Sequence, residues 1–298
     1  MTPKRTAPMS NLNLYLVSIG IWGSTWLAIK FQLGVVPPAV SVAWRFGLAA
    51  LILMGYARFR RLSLRFDART HLWLALQGLL LFGANYVLTY MAELNLSSGL
   101  VAVIFSLMMF FNIAGMRLLF HSPPRGRSVL GALLGIAGVT LLFWPDLSRF
   151  SVAGTALQGL IWALVATLIA SLGNMTATRN QRAGLPVFAQ NAWAMLYGAL
   201  LVLGYALLTG ERLAFETTFA YVCSLLYLAL FGSVLAFGAY LTLLGRIGAG
   251  RAGYTAVAIP VVALTLSTIF EGLQWQGIMG VGVLLCLAGN LLVLGGRA

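Results

Sequence analysis

The pattern of apolar and polar positions divides the chain into ten apolar stretches, separated by short polar or basic segments. Most stretches are close to the roughly 20 residues that an α-helix needs to cross the hydrocarbon core of a bilayer. The stretches cover residues 12–30, 40–57, 72–91, 99–120, 129–144, 154–176, 187–208, 220–244, 252–270 and 277–294. The pattern therefore predicts an all-α polytopic membrane protein with ten transmembrane helices and no soluble domain.

The composition agrees with this prediction. The chain is 60% hydrophobic and only 8% charged, whereas soluble domains carry about 25% charged residues. Its two cysteines, Cys223 and Cys286, both lie inside apolar stretches, so neither a disulfide framework nor a metal site is expected. Nothing in the sequence indicates a cofactor.

The basic residues set the predicted orientation. Cytoplasmic loops of membrane proteins are enriched in Lys and Arg, and a cytoplasmic N-terminus places all but four of the 19 basic residues on the cytoplasmic side. The exceptions are Lys30, Arg45, Arg149 and Arg212. The acids show the opposite bias, because only Asp67 is internal, while those expected outside are Glu93, Asp146, Glu211, Glu216 and Glu271. We therefore expect both termini in the cytoplasm, and we interpret the net charge of +13 as a topology signal, with no nucleic-acid partner.

Weak self-similarity at half the chain length indicates a duplication. The strings at residues 131–138 and 282–289, at 43–47 and 192–198, and at 81–83 and 230–232 match at offsets of 149 to 151, and 21–23 resembles 161–163 at an offset of 140. An odd number of spans in each half places the halves in opposite orientations, the arrangement of many secondary transporters with a substrate site between the repeats. The predicted repeats are residues 1–149 and 150–298.

Several short motifs resemble one transporter family. They are Trp22-Gly23-Ser24-Thr25 with Ala28-Ile29-Lys30, Trp44-Arg45-Phe46, the segment 252–260, and the paired glycine strings of spans five and ten. Together they resemble the EamA type of the drug/metabolite transporter superfamily, and within it the bacterial aromatic amino-acid exporters. The family commonly has a proline in span four where this sequence has Met108. The resemblance implies amino-acid export across the cytoplasmic membrane of a bacterium.

Two tryptophans are candidates for contacting a substrate. Trp22 and Trp162 lie about halfway along the spans that the repeat makes equivalent, and Ser18 and Thr25 share the face of Trp22. Aromatic rings at this depth would stack on a flat or apolar molecule. The alternative is that both rings only fill space in the core between the helices.

Polar side chains inside spans normally face the bundle interior or a water-filled cavity. On this ground we expect substrate contacts from Asn85 and Tyr90 in span three, beside Tyr86 and Thr89. Further candidates are Asn174 with Ser171 in span six, Asn191 in span seven and Tyr254 in span nine. Hydrogen bonding between helices is the alternative for each of them.

Lys30 and Arg45 are the cations nearest the membrane core, and they would attract a substrate carboxylate or take part in gating. Lys30 would alternatively extend to the outer headgroups. Pro260 is the only proline inside a span, and it would bend its helix for gating or simply for packing. Gly131 and Gly135 suit close helix contacts, within a monomer or at the face of a homodimer.

Missing residue types narrow the function. No Asp or Glu lies at the middle of a span, which disfavours an antiporter of cationic drugs, and no hydrolase, zinc or nucleotide-binding motif is present. We therefore expect a non-enzymatic carrier that exports amino acids, or similar small amphiphilic metabolites, by alternating access. A carrier of anionic metabolites such as phosphorylated sugars is the nearest alternative. Further alternatives are a passive channel, a structural membrane subunit and a membrane enzyme.

Overall fold

The computed structural model describes residues 9–121, 126–142, 144, 154–240, 242, 243, 246 and 255–294. Helices account for the regular structure of these residues, and no strand occurs among them. In chain order the helices are α1 (Asn11–Lys30), α2 (Pro38–Phe59), α3 (Ala68–Asn95), α4 (Ser98–Phe105 and Met108–Phe120), α5 (Gly126–Leu142), α6 (Thr155–Arg182), α7 (Val187–Leu208), α8 (Phe219–Tyr240), α9 (Thr255–Phe270) and α10 (Gly277–Leu294). Each predicted apolar stretch coincides with one of them.

Seven of these helices are long and apolar enough to cross a membrane: α1, α2, α3, α4, α6, α7 and α8. The apolar parts of α5, α9 and α10 within the described residues are shorter, at Val129–Leu142, Ala258–Phe270 and Gly277–Leu292. The chain therefore has an all-helical, polytopic membrane fold.

Local sequence accounts for many of the helix ends. The Ser10 hydroxyl accepts a hydrogen bond from the backbone N–H of Asn13 at 3.1 Å and caps the start of α1. Pro38 begins α2, where its missing N–H costs nothing. Helices α6 and α7 are each followed, two residues on, by a glycine in the left-handed conformation, Gly184 (φ 83°) and Gly210 (φ 73°).

Two large apolar cores hold the helices together, and a small third cluster lies around Leu14, Ala239 and Leu243. The first lies around Phe46, Phe82, Met195 and Leu228, on α2, α3, α7 and α8. The second is built by α3, α4, α5, α6, α9 and α10, and it includes Cys286. Each core takes helices from both halves of the chain, so neither half buries its apolar residues alone.

Glycines let α5 and α10 pack closely. A Cβ atom built on Gly138 would lie 2.6 Å from the carbonyl oxygen of Gly282, and one on Gly289 would lie 2.5 Å from that of Gly131. A Cβ atom on Gly135 would meet Leu107 of α4 at 3.0 Å. The glycine strings thus provide close packing between helices of one chain.

Two helices contain a π-helical segment, in which the wider turn leaves backbone carbonyls without their usual partner. The segments are Gly78–Ala84 in α3 and Tyr227–Leu235 in α8. Polar side chains satisfy two of these carbonyls: Asn85 Nδ2 donates to Leu81 O at 2.7 Å, and Ser233 Oγ donates to Leu228 O at 3.0 Å. The side-chain amide of Asn85 therefore satisfies a carbonyl of its own helix.

Helix α4 is interrupted although it lacks the proline common in the family. Ser106 and Leu107 form a turn between its two parts, and Met108 begins the second part. The Ser106 hydroxyl donates to Val103 O at 2.6 Å, which offers an alternative to the regular helical bonding. Pro260 lies inside α9, as predicted, and is buried.

Candidate functional site

The centre of the candidate site is the contact of α1 with the π-helical segment of α8. Trp22 Nε1 donates to the carbonyl oxygen of Gly232 at 3.2 Å, and the indole packs against Phe237 and Tyr240, with ring centroids 5.1 and 5.2 Å away. All three rings are half-buried. Trp22 therefore binds a π-helix carbonyl and forms part of an aromatic surface at the same time.

Small residues bring the two helices together at this point. A Cβ atom on Gly232 would lie 2.8 Å from Thr25 Cγ2, and one on Gly23 would lie 2.6 Å from Val262 of α9. The Thr25 hydroxyl donates to Trp22 O at 2.8 Å, and that of Ser24 lies 2.6 Å from the Tyr227 hydroxyl. The face of α1 predicted from Trp22 and Thr25 thus contacts α8, with α9 beside it.

Arg45 is the most unusual charged residue in the core. Its side chain is 1% exposed, and its guanidinium lies 4.6 Å from the Tyr86 ring centroid and 5.0 Å from that of Phe46. Nε donates to Ser233 Oγ at 3.4 Å, whereas Nη1 has no hydrogen-bond partner among the described residues. Cation–π contacts partly replace water around this cation. Arg45 is thus enclosed by α2, α3 and α8.

The face of α3 opposite Arg45 carries further buried polar groups. Tyr90 and Glu93 are both 0% exposed, and Tyr90 lies beside the Arg45 guanidinium without hydrogen-bond geometry. The two carboxylate oxygens of Glu93 likewise lack a hydrogen-bond partner in the described part of the chain. Glu93 is enclosed by protein, because the end of α3 is covered by α1, α4 and α6.

Lys30 belongs to a polar cluster that joins four helices. Its ammonium group donates to the carbonyl oxygens of Glu93 and, at 2.7 Å, Leu96, and it lies 3.6 Å from Glu271 Oε1. Glu271 also accepts a hydrogen bond from the backbone N–H of Ser98 at 3.0 Å. We call Lys30, Ser98 and Glu271 the Lys30 cluster. These contacts place partners for the charge of Lys30 within the protein.

A second polar cluster lies between α4 and α6. Asn112 Oδ1 accepts hydrogen bonds from Ser171 Oγ at 2.8 Å and from Asn174 Nδ2 at 3.5 Å, and Asn174 Nδ2 also lies 3.2 Å from Met108 Sδ. Asn112 and Asn174 are half-buried. The predicted pair Ser171 and Asn174 is therefore brought together by Asn112, which the sequence analysis did not single out.

The other predicted residues lie apart from this centre. Trp162 is half-buried in the second apolar core with Trp26 and Phe105, and the ring contacts of the described residues do not join it to Trp22. Asn191 is buried near the start of α7, without a hydrogen bond to the residues above. Tyr254 lies outside the described residues.

Metal binding finds no support among the residues that the structure describes. No three His, Cys, Asp or Glu side chains there lie close enough together to hold an ion. The chemistry that the arrangement can perform is recognition, by aromatic faces, amide groups and a buried pair of opposite charges.

Comparison with known proteins identifies the family of this chain. The model of the EamA-like transporter family matches residues 11–144 and again residues 157–295, which is most of the chain. The chain belongs to the EamA-like transporter family. The family resemblance inferred from the short motifs is confirmed. As an EamA-type protein, the chain is a multi-pass membrane transporter, and its family points to transport and not to catalysis.

Relatives of this EamA-type chain include the inner membrane transporter YedA of Escherichia coli K12, which is 29% identical over 91% of this chain and 89% of its own length. A Salmonella typhimurium LT2 protein named "Probable amino-acid metabolite efflux pump" is 25% identical, over 93% of this chain and 92% of its own. The transporter YoaV of Bacillus subtilis 168 is 26% identical, over 86% and 87%. A solved structure with 18% identity shares the fold, with a TM-score of 0.68 over 97% of this chain and 99% of that one.

Several residues of the site escaped the sequence analysis. Ser233, Asn112 and Tyr227 have no distinguishing pattern, because their partners lie on other helices. Glu93 did carry a signal, since it follows Asn85 and Thr89 at intervals of four residues and so shares their helix face. Extending that polar row by one turn would have predicted its burial.

Proposed function

We propose that this chain is a carrier of ten transmembrane helices that exports amino acids, aromatic and other neutral ones, or similar small amphiphilic metabolites, by alternating access. The observation that carries the proposal is the site where α1, α2, α3 and α8 meet, with half-buried aromatic rings beside an enclosed cation. Such a combination suits a molecule with one apolar and one charged end. The relative named as an amino-acid metabolite efflux pump supports the same substrate class.

The proposal includes two inverted five-helix repeats, residues 1–149 and 150–298. Helix packing supports the repeat. If α1 to α5 are exchanged with α6 to α10 in order, most pairs of helices in extensive contact become pairs that are also in contact. Thus α2–α7, α5–α10 and α4–α9 map onto themselves, while α1–α9 maps onto α6–α4, α3–α6 onto α8–α1, and α3–α7 onto α8–α2. The π-helical segments also begin at equivalent positions, Gly78 and Tyr227. A substrate route between the halves follows from this arrangement.

The proposed location is the inner membrane of a bacterium, with both termini in the cytoplasm. The excess of basic residues in alternate loops supports this orientation, and YedA is named as an inner membrane protein. In this orientation the Lys30 cluster lies at the outer end of the bundle. Its contacts tie α1 to α3 and α9, which supports a conformation that is closed at this end.

We assign substrate contact first to two surfaces. Trp22 and Thr25 would contact the apolar part of the substrate, and Asn174 with its partner Asn112 would offer amide hydrogen bonds. The remaining proposed contacts are Asn85, Tyr90, Trp162, Asn191 and Tyr254. For gating or attraction we propose Lys30, Arg45 and Pro260. The partners are then a small-molecule substrate and the lipid bilayer, and the carrier works as a monomer or a homodimer, without a cofactor or nucleic acid.

Counterflow tests this function. Purified protein in liposomes loaded with unlabelled L-phenylalanine, L-tryptophan or L-leucine is expected to accumulate the labelled amino acid with saturable kinetics. Trp22→Ala should reduce this exchange strongly, because it removes both the ring surface and the hydrogen bond to α8. Trp275→Ala is the matched control, since Trp275 follows α9 and is exposed. Absence of saturable exchange for every amino acid tested would contradict the proposal.

A carrier of anionic metabolites is the second candidate, and the unpaired Nη1 atom of Arg45 favours it. In that case sugar phosphates would compete for exchange, Arg45→Ala would abolish flux, and Trp22 variants would have little effect. A passive channel instead predicts unsaturable flux. The pairing of Lys30 with Glu271 weighs against the anion carrier, because it leaves one cation where two were expected.

A further inference from the structure

A row of buried polar side chains runs along one face of α3. Asn85, Thr89 and Glu93 follow one another at intervals of four residues and are 3%, 1% and 0% exposed. Asn85 and Thr89 bond to carbonyls of their own helix, at 2.7 and 2.8 Å. Glu93 is different, because neither carboxylate oxygen has a hydrogen-bond partner among the described residues. The row thus ends in an acid with unused acceptors.

Two unused donors lie near this acid. They are Nη1 of Arg45 and the hydroxyl of Tyr90, both enclosed by protein. Arg45 interacts electrostatically with Tyr90 and with Glu93. Most buried polar groups in folded proteins are hydrogen-bonded, because an unsatisfied one costs free energy. Four such atoms on three neighbouring residues therefore indicate a group that these atoms bind at another stage of the protein's work.

The surrounding charges restrict the chemistry of that group. The charged and titratable groups near Glu93 are Lys30 on α1, Arg45 on α2, Tyr90 on α3 and Glu271 at the end of α9, and Tyr221 of α8 lies near Tyr90. Helix α6 brings Gly159 against Asn95 and Leu96 there, and glycine does not titrate. Lys30 is already opposed by Glu271 at 3.6 Å. Within the described part of the chain, one cation and one anion near this point, Arg45 and Glu93, remain with unused hydrogen-bonding atoms.

We propose that Arg45, Tyr90 and Glu93 form a subsite for the ammonium and carboxylate groups of an α-amino acid. The guanidinium and the tyrosine hydroxyl donate to the substrate carboxylate, and the Glu93 carboxylate accepts from the substrate ammonium. A zwitterion matches this set of donors and acceptors without changing the net charge of the core. The inference rests on the proposed export of amino acids and names the residues that would read the common part of such substrates.

The subsite is closed in the conformation described here, and the Lys30 cluster explains how it opens. Lys30 donates to the carbonyl oxygens of Glu93 and Leu96 and so holds the end of α3 against α1 and Glu271. Separation of Lys30 from Glu271 would release this end of α3. Exposure of the subsite is therefore linked to opening of the outer end, where an exporter releases its substrate.

Protons compete with the substrate at Glu93. The ionised carboxylate accepts from the ammonium group, whereas a protonated Glu93 carries no charge to attract it. After the substrate has left, a proton taken from the outer solution can replace the ammonium group at the Glu93 carboxylate. Because the zwitterion is neutral overall, this exchange couples export to proton entry and carries one positive charge inward for each molecule exported. Lowering the pH should consequently raise the KM of the wild-type protein, and Glu93→Gln should remove this dependence.

Substrate analogues test the subsite directly. Exchange of labelled L-phenylalanine is measured in liposomes with three competitors: L-phenylalanine, N-acetyl-L-phenylalanine, which lacks the ammonium, and L-phenylalaninamide, which lacks the carboxylate. For the wild type we expect each analogue to compete about tenfold or more weakly, the effect of one lost charged hydrogen bond. Glu93→Gln should make the N-acetyl compound as effective as L-phenylalanine, and Arg45→Gln should do the same for the amide.

Matched controls and alternative outcomes make the result decisive. Glu216→Gln and Arg212→Gln remove a half-buried acid and an exposed cation from the segment between α7 and α8, and they should leave competitor preference unchanged. Tyr90→Phe removes only the hydroxyl and should weaken the binding of L-phenylalanine. This variant provides the test if the larger changes prevent folding. Equal competition by N-acetyl-L-phenylalanine in the wild type would overturn the subsite, even if every variant failed to fold. Absence of exchange for all amino acids would instead contradict the proposed function.

Discussion

Gly232→Ala is the substitution whose effect the structure predicts most directly. The new methyl group would lie 2.8 Å from Thr25 Cγ2 and 3.4 Å from Arg45 Nη2. Carbon atoms in ordinary contact are about 3.5–4.0 Å apart, so the methyl and Thr25 would overlap by about 0.7–1.2 Å. Thr25 has little freedom to move, because its side chain is β-branched and its hydroxyl bonds to Trp22 O.

Overpacking of this size costs about 1–3 kcal/mol in the free energy of unfolding. Each kcal/mol lowers the unfolding temperature of a domain of comparable size by about 2–4 °C. Thr25→Ser removes Cγ2 and keeps the hydroxyl, so by itself it should cost about 0.8 kcal/mol for the lost methyl group. In the double variant the methyl group added at position 232 takes the place of Thr25 Cγ2. We therefore expect the double variant to be more stable than Gly232→Ala alone.

Thermal unfolding in detergent, followed by tryptophan fluorescence, measures these differences for the four proteins of the cycle, and counterflow measures their function. Gly204→Ala is the matched control, because a Cβ atom there meets nothing within 4 Å. A favourable coupling energy of about 0.5–3 kcal/mol between positions 25 and 232 is expected. The reasoning is refuted if the two changes simply add, or if Gly232→Ala unfolds at the same temperature as Gly204→Ala.

Three further substitutions test the other contacts. The double variant Lys30→Glu with Glu271→Lys inverts the ion pair of the Lys30 cluster. It should not have wild-type counterflow or stability, because a carboxylate cannot donate to the carbonyls that Lys30 binds. Wild-type values would argue that the ion pair alone matters. Asn112→Ala leaves the buried Ser171 hydroxyl without its acceptor, so unfolding should be easier by about 1–3 kcal/mol, whereas Ser171→Ala should cost less; equal losses would contradict this account. Trp22→Phe keeps a ring beside α8 but loses the hydrogen bond, so it should lower stability by about 1 kcal/mol and retain more counterflow than Trp22→Ala.

The positions of the helices were largely predictable, and the contacts between them only in part. Apolar length and basic loops located each helix, because a bilayer requires long apolar segments whose backbone bonds internally. The buried face of α3 was also indicated by Asn85 and Tyr90. The wider turns of α3 and α8 carry no such signal, although matching strings lie within both of them. Where a helix widens depends on which side chains satisfy the released carbonyls, and Trp22 comes from another helix to do so.

The charged residues show most clearly which properties the local sequence determines and which depend on tertiary packing. Spacing and composition alone establish a helical membrane protein, its orientation signal and the polar face of α3, because these depend on neighbours within a few turns or on the surrounding solvent. Whether a charge is neutralised depends on its partner, and Lys30 meets Glu271 across most of the chain length. From sequence alone, Lys30 and Arg45 looked alike, as the two cations nearest the membrane core. In the structure Lys30 is paired with Glu271, whereas Arg45 is enclosed with Tyr86, Tyr90 and Glu93. Electrostatic energy follows distance and burial, and only the packing of α1, α2, α3 and α9 sets those quantities.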